Sequence, residues 1–233
     1  MSNKTIMLGL LGLMLCLTGL AAQARCLNTV VLVHGNTGSP TDFQNTYTLL
    51  RQQGWSDAQI IAPAWGNAFC ASCNDHAGSE ETPVANAISS AIAGSCSGHI
   101  DVIGHSMGVT LAMHEIDRLN VASKVDVFIA IAGAMRGLWS CGTYPYNVAN
   151  ATCGAYGLSV HSPLLLGMAT HRFGLRVYSM KSWTDEINCS TGTCIVDGAH
   201  TSTVPAESQS FDYPYGHFQL LWYTAADQVS LLR

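Results

Sequence analysis

The stretch Ile100-Asp101-Val102-Ile103-Gly104-His105-Ser106-Met107-Gly108 decides the fold. Its apolar, β-branched opening reads as a buried strand, and residues 107–119 read as a helix. Between them Gly104 and Gly108 bracket Ser106 in a G-x-S-x-G pattern. A strand that runs through a sharp turn straight into a helix leaves the serine hydroxyl exposed at the turn, as a nucleophile elbow requires. The two glycines let neighbouring backbone approach closely, and the helix start behind Ser106 favours negative charge beside it. Five such residues arise easily by chance. The strand before them and the helix after them make the pattern specific.

Outward from this centre the chain alternates. Val30-Val31-Leu32-Val33 has the profile of a strand buried on both faces, ending at His34-Gly35. Ser39-Pro40-Thr41-Asp42 reads as a capped helix start, with Phe43, Tyr47 and Leu50 at helical spacing and Gly54 as a stop. Further strands are expected over 59–62, 99–103, 125–132 and 175–180. Helices are expected from Thr82-Pro83 onward and over 218–222. Such alternation predicts a parallel sheet covered by helices. Two segments break the rhythm. Residues 66–81 hold Cys70, Cys73 and His76 and read as a disulfide-held loop. Residues 136–173 hold Trp139, Tyr144, Tyr146, Tyr156 and the run Leu164-Leu165-Leu166, and loops of that length usually carry function. Residues 164–168 read equally as a buried short helix or as an apolar cover.

Composition narrows the function classes. The 233 residues are one domain's worth of chain, with 48% hydrophobic and only 11% charged residues. That balance excludes a disordered chain. Ten Lys and Arg against fifteen Asp and Glu give −5, so there is no basic footprint for nucleic acid. Lys4, the apolar run 6–20 and Ala22-Gln23-Ala24 make an export signal over 1–24, cleaved after Ala24. The run is shorter than the roughly 20 apolar residues of a membrane span, so no membrane segment is expected in the remaining domain, 25–233. The expected location is secreted, extracellular or periplasmic. Eight cysteines remain after Cys16, an even number that suggests disulfides in an oxidising compartment. Cys70-x-x-Cys73 has no second C-x-x-C to complete a zinc ribbon, so no metal is expected.

In three blocks the chain resembles the small secreted bacterial lipases of class 2 type. These are residues 30–35, residues 101–108, and the C-terminal pair Ser182-Trp183-Thr184-Asp185 with Gly216-His217. The resemblance implies an α/β-hydrolase fold, a mostly parallel central sheet with helices on both faces. It also implies the catalytic order Ser, then Asp or Glu, then His. Ser106 becomes the nucleophile. Asp185, just past the strand 175–180, is preferred to Asp197 and Asp212 as the orienting carboxylate. His217 is preferred to His200 as the base, and His34 and His105 are read as positioning or packing residues. The oxyanion donors are the backbone N–H of Met107 and that of Asn36. In this fold the strands after Cys26 and Cys96 are parallel neighbours, which implies a Cys26–Cys96 disulfide. Short loops then favour Cys141–Cys153 and Cys189–Cys194, leaving Cys70 with Cys73.

A weaker likeness joins Arg136-Gly137-Leu138, Cys141 and Cys153-Gly154 to extracellular polyhydroxyalkanoate depolymerases. The expected function is therefore a serine carboxylic-ester hydrolase, lipase or esterase, working through an acyl-enzyme without a cofactor. Its partner would be an acyl ester or polyester at a lipid–water or polymer surface. A polyester depolymerase is the alternative, and an inactive fold that only binds an apolar ligand is a distant one. Trp139, Leu164, Leu165 and Leu166 are expected to form the acyl-binding wall or touch the substrate surface.

Overall fold

The computed structural model describes residues 26–146 and 150–233. The expected export signal over 1–24 lies outside the described residues. In chain order the elements begin with β1 (Thr29–Val33), α1 (Gln44–Gln52), β2 (Ile60–Ile61), α2 (Glu81–Gly94), β3 (Ile100–His105) and α3 (Met107–Arg118). They continue with β4 (Val125–Ile131), β5 (Leu138–Thr143), β6 (Ser159–Val160), α4 (Pro163–Met168) and β7 (Arg176–Lys181). The last are β8 (Ile195–Val196), β9 (Ala199–His200), β10 (Gln209–Asp212), α5 (His217–Tyr223) and α6 (Ala225–Leu231).

Six strands form one sheet in the order β10-β7-β4-β3-β1-β2, with every neighbouring pair parallel. Alternation along β1 explains why helices must cover both faces. Val31 and Val33 enter one core with Val84 and Ile88 of α2 and Leu111 of α3. Val30 and Leu32 enter the other with Leu50 of α1, Leu220 of α5 and Val229 of α6. A strand apolar on both faces is stable only between two helical layers. This is the parallel sheet covered by helices that the alternation of apolar runs predicted, and the α/β-hydrolase architecture that the resemblance implied.

The boundaries differ where local chemistry is subtle. Ser39 opens a 3-10 turn over Pro40–Phe43, with Asp42 accepting from the Ser39 N–H at 3.1 Å, and the α-helix starts only at Gln44. The edge strand β10 and the final helix α6 were not foreseen. β10 pairs only with β7, and half-exposed edge strands carry a weak apolar pattern.

Four disulfides join Cys26–Cys96, Cys70–Cys73, Cys141–Cys153 and Cys189–Cys194. The first has a simple cause. Thr29 of β1 is in register with Ile100 of β3, so the residues leading into both strands emerge at one sheet edge. Among the described residues no helix is long and apolar enough to cross a membrane.

Candidate active site

The turn between β3 and α3 holds Ser106 at φ 54°, ψ −130°, a left-handed conformation that costs a non-glycine residue about 1–3 kcal/mol. The surroundings enforce it. The Ser106 N–H donates to the Ile131 carbonyl of β4 at 2.8 Å, and its carbonyl accepts from Val109 at 3.0 Å. A Cβ on Gly108 would stand 2.1 Å from the His34 carbonyl oxygen, and one on Gly104 2.7 Å from Val109 Cα. Both positions therefore demand glycine, because strand, helix and the end of β1 meet with no room for a methyl group.

His217 opens α5 and is buried beside Ser106. Its Nε2 lies 2.8 Å from Ser106 Oγ, and its Nδ1 lies 2.9 Å from both carboxylate oxygens of Asp185. An ionised carboxylate only accepts, so Nδ1 carries the proton and Nε2 is free to accept from the serine hydroxyl. The imidazole is also held through its backbone. The His217 N–H donates to Glu186 Oε2 at 2.9 Å, and its carbonyl accepts from His105 Nε2 at 3.1 Å. Burial pushes the His105 imidazole down to about 3, which keeps it neutral and able to play this role with one ring proton.

Asp185 follows β7 on a loop at the carboxyl end of the sheet, where ligands gather in open α/β sheets. Burial alone would raise its carboxyl, but the hydrogen bond and charge of His217 and the N–H groups of Asn188 and Ile187 more than offset this. The result lies below the ordinary aspartate value. Asn188 fixes the same loop, its Nδ2 donating to the Ala132 carbonyl at 2.9 Å and to Ser202 Oγ at 2.9 Å.

The rivals stand elsewhere. Asp197 pairs with exposed His161, and Asp212 ends the edge strand β10. His200 donates through Nε2 to the Ser182 carbonyl at 3.0 Å and accepts through Nδ1 from the Ser202 N–H at 3.1 Å, so both ring nitrogens serve loop structure.

Ser106 and His217 open onto a cleft of about 580 Å3. Asn36 lines its polar side. Ile187, Phe218, Leu221 and Trp222 form an apolar wall. Phe218 and Trp222 stand one helical turn apart on α5, stack at 6.2 Å, and remain 50% and 43% exposed. Among the described residues neither the Asn36 nor the Met107 N–H donates to a protein acceptor, so both amides are available to a ligand beside Ser106.

The middle segment, where an acyl wall or a buried short helix was expected, forms the short helix. Ser162 Oγ accepts from the Leu165 N–H at 3.3 Å and Pro163 starts α4, which turns Leu164, Leu165 and Met168 into the core beside α3. Leu165 is 3% exposed, while Leu166 is 57% exposed. Trp139 on β5 donates its Nε1 to the Ile195 carbonyl at 2.7 Å. None of Trp139, Leu164, Leu165 and Leu166 lines the cleft. The apolar wall of this cleft comes from α5 and Ile187. Its signal in the sequence is Phe218 and Trp222 at i, i+4 directly after His217, an outward-facing apolar stripe that runs beside the buried Leu220 and Leu221 and merges with them in the sequence pattern.

Among the described residues two groups of side chains have the spacing of metal ligands. Cys189 and Cys194 of the first are bonded to each other, which leaves no thiolate. In the second, Glu81, His114 and Glu115 lie against Arg118, whose Nη2 is 2.6 Å from Glu115 Oε2 and whose Nε is 3.9 Å from Glu81 Oε2. The guanidinium already offsets part of that charge.

A profile of the class 2 lipases matches residues 28–230. Comparison with curated proteins finds no match. Among solved structures, Bacillus licheniformis lipase BlEst2 in its mature form is similar at TM-score 0.64 and 13% identity, covering 89% of this chain and 93% of that one. The Staphylococcus aureus fluorophosphonate-binding serine hydrolase F gives 0.58 and 14%, covering 92% and 87%. Aspergillus fumigatus lipase B gives 0.57 and 19%, covering 88% of this chain, which spans only 53% of that enzyme. With the profile running from β1 to α6, the chain belongs to the class 2 lipase family, carboxylic-ester hydrolases of the α/β-hydrolase fold.

Proposed function

We propose that this chain is a secreted carboxylesterase or lipase that works through an acyl-enzyme on Ser106, with His217 as base and Asp185 as its orienting carboxylate. The observation that carries the reading is the single imidazole of His217, 2.8 Å from Ser106 Oγ and 2.9 Å from Asp185, on the floor of a cleft with one apolar wall. His217 takes the serine proton as Oγ attacks the ester carbonyl, then gives it to the departing alcohol. Asp185 holds the proton on Nδ1 and stabilises the imidazolium. The Met107 and Asn36 amides receive the developing oxyanion, and water releases the acyl group by the same steps. No cofactor enters.

Phe218, Trp222 and Ile187 make the acyl site an exposed aromatic and aliphatic face, suited to an acyl chain presented at a lipid–water surface. Four disulfides support an oxidising, extracellular or periplasmic location and the export signal over 1–24. A panel of p-nitrophenyl esters from acetate to palmitate, run beside a poly(3-hydroxybutyrate) suspension, tests the substrate class. Turnover of soluble and emulsified esters is expected in wild type and none in Ser106→Ala. Hydrolysis confined to the polymer would replace this reading with a polyester depolymerase. Binding of ester without turnover would replace it with a ligand-binding fold.

A further inference from the structure

The loop 34–38 that carries the Asn36 amide leaves β1 at the open end of the sheet, and an oxyanion donor acts only as well as it is held. What holds it is a second segment, 67–76, that the proposed mechanism leaves without a role. Asn74 is fully buried there. Its Oδ1 accepts from the Asn67 N–H at 2.7 Å, and its Nδ2 donates to the Asn67 carbonyl at 3.1 Å and to Asn36 Oδ1 at 2.6 Å. Asn36 answers with its own Nδ2, which donates to the Ala71 carbonyl at 3.0 Å. Ala71 lies inside the turn that Cys70–Cys73 closes, and the Thr152 hydroxyl sits between the Ala71 and Asn74 carbonyls. Both polar atoms of the Asn36 side chain are thus bonded to segment 67–76, while its backbone N–H meets no protein acceptor among the described residues and lies at the cleft.

The same segment is fastened to the elbow. His76 Nδ1 donates to the Tyr156 carbonyl at 2.8 Å, which leaves Nε2 to accept from the Thr110 hydroxyl at 2.7 Å. Thr110 lies three residues beyond Met107, in the first turn of α3, with Oγ1 3.0 Å from the Met107 carbonyl. Asn36 is therefore referenced, through Asn74 and His76, to the helix that carries the other donor.

We infer that Asn74 is a positioning residue for ester hydrolysis, clasping the Asn36 side chain so that the Asn36 N–H faces the oxyanion formed at Ser106. This rests on the proposed assignment of Ser106 and the two amides. A misplaced donor weakens the transition state and leaves ground-state binding nearly unchanged, so the signature lies in kcat. Asn74→Ala should lower kcat for p-nitrophenyl butyrate by about 10- to 100-fold, with KM within about 2-fold. Affinity for an alkylboronic acid, which forms a tetrahedral adduct on the serine, should fall by the same factor. All rates are referred to active sites counted by end-point titration with a fluorophosphonate, which removes any unfolded fraction.

If Asn74→Ala does not fold, Asn36→Ala cuts the same tether from the solvent side, and the same loss in kcat and boronate affinity is expected. Where both fold, the double variant decides whether Asn74 acts through Asn36, since it should lose no more than about 2-fold beyond the larger single loss. Losses that multiply, a change confined to KM, or unchanged boronate affinity would overturn the proposal. Ser106→Ala is assayed alongside. If it kept full turnover, the underlying assignment would fail, an outcome distinct from failure of the tether.

Discussion

Asp101 lies in β3, five residues before Ser106, and is buried with one carboxylate oxygen unpartnered. Oδ1 accepts from Asn28 Nδ2 and from the Val127 N–H, both at 3.2 Å, while Oδ2 meets no donor. Burial raises its carboxyl to about 7, with the charge of Asp126 adding to the rise. The Asn28 and Val127 hydrogen bonds and the Arg176 charge only partly offset this. Below pH about 4 the group is protonated in both folded and unfolded chains and contributes nothing to the pH dependence. Between pH about 4 and 7 the unfolded chain releases the proton and the folded chain keeps it, so stability falls as pH rises. Three pH units at about 1.4 kcal/mol each give a penalty on the order of 4 kcal/mol, fully developed above pH 7. Asp101→Asn keeps the Oδ1 acceptor and the shape but cannot ionise. Its melting temperature should match wild type at pH 4 and exceed it at pH 8 by roughly 8–16 °C for a domain of this size. Thermal unfolding followed by circular dichroism at both pH values reads the difference. A gap independent of pH, or a variant less stable than wild type at pH 8, would refute the reasoning.

Asp185→Asn preserves shape but lets Nδ1 of His217 lose its defining acceptor, and kcat should drop by about 10^4-fold while His200→Ala changes it little. Steady-state kinetics on one short ester compares them, and a large loss in His200→Ala with a small one in Asp185→Asn would reverse the assignment. Phe218→Ala with Trp222→Ala removes the exposed part of the cleft wall. KM for a long-chain ester should rise about tenfold or more while acetate turnover is kept, and equal losses on both esters would show that α5 does not bind the chain. Leu165→Ala should cost about 2–5 kcal/mol in denaturant unfolding, with normal activity per folded molecule, because Leu165 packs in the core. A stable variant that fails only on long-chain esters would restore Leu165 to the acyl site.

Much of the fold was legible because its signals are local. The strand-turn-helix around Ser106 spells its own geometry, and the doubly apolar run of β1 already demands helices on both faces. The Cys26–Cys96 pairing came from the resemblance, which makes β1 and β3 neighbours. The place of Asp185 just past a strand and the resemblance at Gly216-His217 singled out, from several candidates in the same chain order, three side chains that the sequence separates widely and the structure brings together. The residues that escaped act over distance and have unremarkable neighbours in sequence. Asn74, His76, Glu186 and Asn188 are polar residues in loops, and nothing adjacent to them announces that Asn74, His76 and Asn188 will be buried against the site or that the exposed Glu186 will accept from the His217 backbone. The leucine run left a buried helix and an apolar cover equally open for a related reason. Three consecutive leucines cannot share one face of a helix, and the Ser162-Pro163 cap sends Leu164 and Leu165 inward while leaving Leu166 out.

The central claim is that His217 activates Ser106 as the nucleophile. A fluorophosphonate reacted with the purified protein, followed by intact mass and peptide mapping, measures it directly. One adduct per chain is expected, on Ser106 alone, with the labelling rate in His217→Ala lower by several orders of magnitude and no label in Ser106→Ala. Label on another serine, or an unchanged rate without His217, would contradict the account.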